Sequence, residues 1–218
     1  MSMEKRVSGS DYLWCALYAA AGFSFELILV QLERLIGWDI STFTAGQSII
    51  HWCITIAVWI LVGFIVIRIG EKTTHFDIWQ RQPNIAAWQY AMIAVCFAVN
   101  IVSKYLDWDG FKIVAEWESR GPMLFWFQYA YYLAEAFLIS LVIVYGQKAC
   151  ETWFGAVGIP YGGILLALVW GLPHILSKED IATGLLAAFA GFLFGAVYLF
   201  VNKDYRRALP IIALLFIV

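Results

Sequence analysis

Three apolar stretches of this chain carry the side chains that could do chemistry. Glu135 lies inside the run 121–145, and His174 ends the run 158–175 in Trp170-Gly-Leu-Pro-His174. Gly191 and Gly195 sit in the run that follows. A carboxylate placed in lipid costs roughly 3 kcal/mol or more, so it normally faces a protein interior or a water-filled cavity. On a helix, Gln128, Tyr131, Tyr132 and Glu135 share one face through their three- and four-residue spacing. A carboxyl among hydroxyl and amide neighbours can serve as a general base, a proton carrier or a metal ligand. The structural alternative is a neutral glutamic acid that ties helices together.

His174 follows Pro173, which removes a donor from the helix ladder, and stands four residues after Trp170. A neutral imidazole there could orient water beside Glu135 or ligate a divalent metal. An interfacial histidine beside Ser177 and Lys178 is the plainer alternative. Glu26, a second carboxylate in an apolar run, is expected to act structurally, paired with a Lys or Arg at a helix end or sharing a proton with Glu135. His51 and Trp52 are expected as aromatic-belt residues. A haem held by His51 and His174 is disfavoured because both lie near run ends. Ala187, Gly191 and Gly195, four apart, should let a neighbouring helix approach closely.

Composition sets the class. The chain has 218 residues, 62% hydrophobic and 14% charged, against about 25% charged in a soluble domain; its mean hydropathy is +0.77. An all-α, polytopic helical membrane protein forming a single transmembrane domain over 1–218 is expected. No basic stripe is present to neutralise phosphates, which argues against a nucleic-acid partner. The expected partners are membrane lipids and a membrane-embedded peptide or protein. Cys15, Cys53, Cys96 and Cys150 stand singly, so neither a zinc site nor a disulfide framework is indicated. No short apolar region with a small-residue cleavage site opens the chain, so the first apolar run is expected to remain as an anchor.

The elements that must position these residues are six full spans near 12–32, 45–67, 85–102, 121–145, 158–175 and 181–201. A short half-span follows over 208–218. The polar residues 1–11 are expected at or outside the membrane surface. The connection 103–120 is mixed in charge, and a short interfacial helix there is left open because its amphipathic moment is not clean. Nine of the Lys and Arg residues fall on the side of the N-terminus and five on the other. By the positive-inside rule the N-terminus is cytoplasmic, in a multi-pass protein of a prokaryotic plasma membrane.

Trp170-Gly-Leu-Pro-His174, a short polar link, Gly191-Phe-Leu-Phe-Gly195-Ala-Val-Tyr-Leu, a basic turn and then Leu209-Pro-Ile-Ile resemble the CPBP family. These are the CAAX-processing and bacteriocin-processing (Abi) intramembrane proteases, and the resemblant region is about 121–218. The resemblance implies an intramembrane endopeptidase, a hydrolase in which a glutamate activates water, a histidine assists, and a later His-x-x-x-Asn pair holds the oxyanion. Trp170-x-x-x-His174 corresponds to the family's aromatic-x-x-x-His, and Glu135 to its catalytic acid. The chain departs from the pattern elsewhere. Ala134 and Ala136 flank Glu135, Ile139 and Ser140 stand where an arginine belongs, and Leu214 and Val218 occupy the oxyanion-holding positions. Losing one oxyanion donor alone costs about 10² to 10³ in rate. The resemblance therefore implies either a divergent protease or a pseudo-enzyme that binds a membrane partner, as an immunity protein would. A small transporter or proton-coupled protein using Glu26 and Glu135 is the alternative. Orientation is testable directly: single cysteines in loop 68–84 should label from the cytoplasmic side, and labelling only from outside would invert the topology.

Overall fold

The computed structural model describes residues 7–218, so the polar head Met1–Arg6 lies outside the described residues. Nine α-helices follow in order, and the described residues contain no strand. The helices are α1 (Gly9–Gly22), α2 (Ser24–Leu35), α3 (Ala45–Thr74), α4 (Ala87–Trp108), α5 (Lys112–Phe154), α6 (Tyr161–Leu166), α7 (His174–Lys178), α8 (Ile181–Phe200) and α9 (Tyr205–Ile217). A 3₁₀ turn, Ile40–Thr42, precedes α3, and a π turn, Ala167–Gly171, links α6 to α7.

Among the described residues, five segments are long and apolar enough to cross a membrane: Gly9–Leu35, Ala45–Thr74, Ala87–Trp108, Lys112–Phe154 and Ile181–Phe200. The first is α1 and α2 joined at Phe23, where the buried Trp59 donates its indole N–H to the Gly22 carbonyl at 3.1 Å. The bundle is built around α5. In its most apolar window 61% of residues are buried, against 17–33% in the other four segments. Residues from Leu138 to Tyr145 are sealed almost completely, beneath α1, α3, α6 and α9. Outer helices show the inverse pattern: Leu27, Leu61 and Leu106 are all more than half exposed, as lipid-facing side chains are.

Two regions depart from the sequence expectation. The run 158–175 is not one helix. It is divided among α6, the π turn and α7, so five rather than six helices have the length and apolarity to span. The cause is local: the Leu172 N–H reaches back five residues to the Ala167 carbonyl at 2.8 Å, and Pro173 has no N–H with which to continue the ladder. The second departure is the connection 103–120. α4 continues to Trp108, and the segment from Lys112 to Arg120 is already helical, bent against the rest of α5 at Gly121 and Pro122. Gly121 has φ of +71° with open space around it, so the position requires backbone freedom and not close packing.

Close packing is the reason for the glycines of α6 and α8. A Cβ on Gly195 would land on the backbone N and Cα of Gly163, and a Cβ on Gly171 would land on Ala188. The expected partner of the Gly191–Gly195 stripe is thus the α6 and π-turn segment. The loops that the charge count groups on one side also meet. Lys203 pairs with Glu151 at 3.1 Å, the Gln82 N–H donates to Asp204 at 3.3 Å, and Asn202 donates to the Pro83 and Asn84 carbonyls. Asp204 also caps α9 by accepting from the Arg206 N–H. Burial works against its charge, but the Gln82 amide and the Arg206 guanidinium hold its carboxyl below the usual range.

The backbone contact gives an ordered expectation. Gly195→Ala should lower stability by about 1–3 kcal/mol and Gly195→Leu by more, because overpacking against backbone cannot relax by a rotamer change. Gly191→Ala, whose Cβ would meet the Ala167 nitrogen at 3.2 Å, should cost less. Thermal unfolding in detergent reads the difference, and equal effects at the two positions would contradict the geometry.

Candidate functional site

The bend at Gly121, the break at Phe23 and the π turn converge on one cavity of about 520 Å³. Its base is the polar stripe of α5, with Gln128, Tyr131, Tyr132 and Glu135 all contributing. α2 and α3 supply Glu26 and His51 on one side. α4, α7, α8 and the π turn supply Asn100, Lys104, Trp170, His174 and Ala187 on the other. The charged residues Asp107, Arg120 and Lys178 are exposed and mark its mouth.

Glu135 projects into this cavity. Its Oε1 accepts the Trp170 indole N–H at 2.9 Å. Trp170 is placed by the π turn, which gives its backbone carbonyl a second role. That carbonyl accepts from His174 Nδ1 at 2.8 Å, with the two rings 4.7 Å apart. A carbonyl can only accept, so Nδ1 carries a proton and Nε2 of a neutral His174 is left as an acceptor. Glu135 and His174 therefore share one cavity and are joined through a single residue, Trp170.

Glu26 has neither of the partners expected from sequence. Tyr131 donates to both of its oxygens, at 2.9 and 3.0 Å, and His51 Nε2 lies 3.3 Å from Oε1. His51 is the larger correction. It is 2% exposed, not an interfacial belt residue, and its Nδ1 lies 2.9 Å from Glu33 Oε2. The result is a carboxylate–imidazole–carboxylate row linking α2 to α3. Each ring nitrogen faces a carboxylate, so a proton must occupy both contacts. Glu33 is 5% exposed, and its other oxygen has no partner within the described residues.

Glu116 was not singled out from sequence. The bend at Gly121 folds it back, 3% exposed, to accept from Gln128, Tyr129 and Tyr132 at 3.0, 3.0 and 2.7 Å. This fixes the Gln128 and Tyr132 side chains at the edge of the cavity. On the opposite wall, Asn100 and Lys104 both donate to the Leu215 carbonyl, at 2.8 and 2.9 Å, and Lys104 also reaches Phe216 at 2.7 Å. These are unpaired carbonyls of the last turn of α9, where a cation also suits the helix dipole. Leu214, where the sequence resemblance would put an oxyanion-holding residue, is 51% exposed, while Phe216 lines the cavity. Gly191 and Gly195 position the wall and do not line it. No set of three His, Cys, Asp or Glu suited to a metal ion occurs among the described residues.

A signal for His51 was present in the sequence: Glu26 and Glu33 are seven apart, two turns on one face of α2, and need a cation between them. No protein-family model matches the chain, and no curated protein or solved structure shows significant similarity to it.

Removing His51 should leave two inward-facing carboxylates without their partner. His51→Ala is expected to cost about 3 kcal/mol, the scale for breaking a buried ion pair from one side. Glu33→Gln, which keeps a hydrogen-bonding group, should cost less. Denaturation in detergent micelles checks this, and a neutral His51→Ala would show that the row contributes no stability.

Proposed function

We propose that this chain is a divergent, CPBP-like membrane protein that binds a membrane-embedded peptide or protein segment in its cavity instead of hydrolysing it. The observation that carries the reading is the joining of Glu135 and His174 through Trp170, on a scaffold whose expected oxyanion position, Leu214, is exposed. The first half of a hydrolytic centre has a counterpart here: a carboxylate and an imidazole with a free nitrogen beside a polar space large enough for water. The second half lacks one. Asn100 and Lys104, the donors nearest in kind to an oxyanion holder, are committed to the α9 carbonyls. The carboxylate and the imidazole suit recognition, since unpaired backbone N–H groups entering the cavity meet Glu135 and His174 Nε2 as acceptors.

In this reading the interrupted segment 161–178 completes a sixth crossing, since 18 residues at 1.5 Å span about 27 Å. α9 is then the short seventh element. The protein lies in a prokaryotic plasma membrane with its N-terminus cytoplasmic, and the cavity opens on the opposite side. Proton coupling is a second reading, favoured by the continuous row from Tyr131 through Glu26 and His51 to Glu33.

Proteoliposomes carrying a quenched-fluorescent transmembrane peptide separate these readings. Binding without cleavage is expected, weakened by His174→Ala and by Ala187→Trp, which fills the cavity. Cleavage that disappears in Glu135→Gln would establish an enzyme and reject the binding role. Proton uptake that depends on His51 would favour the second reading.

A further inference from the structure

Basic side chains outnumber acidic ones by one in the lining of the cavity. Lys104, Lys112, Arg120 and Lys178 line it, against Glu26, Asp107 and Glu135. Four of the chain's 14 Lys and Arg thus gather at one site in a protein of net charge −2. Glu26 already faces His51. Of the four basic side chains, only Lys104 makes a hydrogen bond among the described residues, and it makes two, to α9 carbonyls. Among the described residues, Lys112, Arg120 and Lys178 have neither a hydrogen bond nor a carboxylate within ion-pair distance.

Lys112 is the most telling of these. Its ammonium lies 4.2 Å from the centre of the Tyr132 ring, 5.7 Å from Phe216 and 5.8 Å from Trp108. It is also the first helical residue of α5, whose opening turn contains no acid. A lysine there adds its charge to the positive end of the helix dipole, where an anion is ordinarily preferred. Three aromatic faces attract the cation but supply no hydrogen-bond acceptor. An ammonium with its donors unused, in a cavity with a low-dielectric wall, is one half of a charge-assisted pair.

The far wall supplies the complementary half. Leu186, Phe189, Ala190 and Phe194 of α8 line the same cavity, and Phe189 is 42% exposed, so the wall presents open apolar surface. We infer that the cavity binds an anionic amphiphile, its phosphate or carboxylate head on Lys112 with Arg120 and Lys178 at the mouth, and its tail along α8. This rests on the binding role proposed for the cavity and names the chemistry of one class of occupant.

Dodecyl phosphate is the probe, titrated against the full chain in a neutral detergent with tryptophan fluorescence as readout; uncharged dodecyl maltoside and inorganic phosphate are the comparisons. Saturable binding of dodecyl phosphate is expected, about tenfold or more weaker in Lys112→Gln and restored in Lys112→Arg. Arg120→Gln and Lys178→Gln should weaken it by smaller factors. Thermal unfolding identifies which variants are folded, and Leu186→Trp, which narrows the tail path while keeping every cation, supplies an independent loss. Binding that is unchanged in Lys112→Gln, or matched by dodecyl maltoside, would overturn the inference. Inorganic phosphate competing at the same concentration as dodecyl phosphate would assign the site to a small soluble anion and overturn the amphiphile. Loss of dodecyl phosphate binding while the transmembrane peptide still binds would remove this occupant alone, so failure of the inference is distinguishable from failure of the binding role.

Discussion

A polar group inside an apolar bundle has no water to fall back on, and its partners must come from the protein itself. That constraint organises this molecule more than any packing preference. Glu135 sits on the most buried helix and would be untenable there alone. Trp170 relieves it by presenting an indole N–H, and it does so only because the helix carrying it loosens by one residue in the turn Ala167–Gly171. The same rule accounts for Glu116 with its three donors and for Asn100 and Lys104 at the end of α9. Each of these polar side chains is tied to a place where a helix ends, bends or changes pitch.

Much of this was legible in the sequence, and the reasons differ by element. Long apolar runs announced the crossing helices, because the thickness of a bilayer translates directly into residue count. The α5 stripe Gln128, Tyr131, Tyr132 and Glu135 was readable because helical periodicity alone places those residues on one face, and the structure sets them on one cavity. The Ala187–Gly191–Gly195 spacing announced a close helix contact, and α6 provides it. The division of 158–175 was not readable with the same ease. Pro173 signals a disturbance, but a disturbance does not say whether a helix kinks, widens or stops.

The partners of Glu26 were hidden for a different reason. Hydrogen bonds between residues 25 and 105 positions apart depend on which helices pack together, and periodicity says nothing about neighbours in space. Glu116 escaped notice because its burial follows from a reversal at Gly121, and a lone glycine before a proline fits many turns. His51 reads as an interfacial residue because it stands in the first turns of its span, whereas both of its acids come from α2.

The contacts between α6, the π turn and α8 have a consequence for the mechanical character of the molecule. Gly163 meets Gly195 on one side of Trp170, and Gly171 meets Ala188 on the other. These are backbone seats without intervening side chains, so neither can shift by a change of rotamer. Trp170 is therefore mounted at two points along α8, and its register against that helix is discrete: a slide would have to cover a whole helical step. A bilayer that thins, thickens or tilts the bundle would move the two elements together as one strut, leaving the spacing between Trp170 and the wall it serves unchanged.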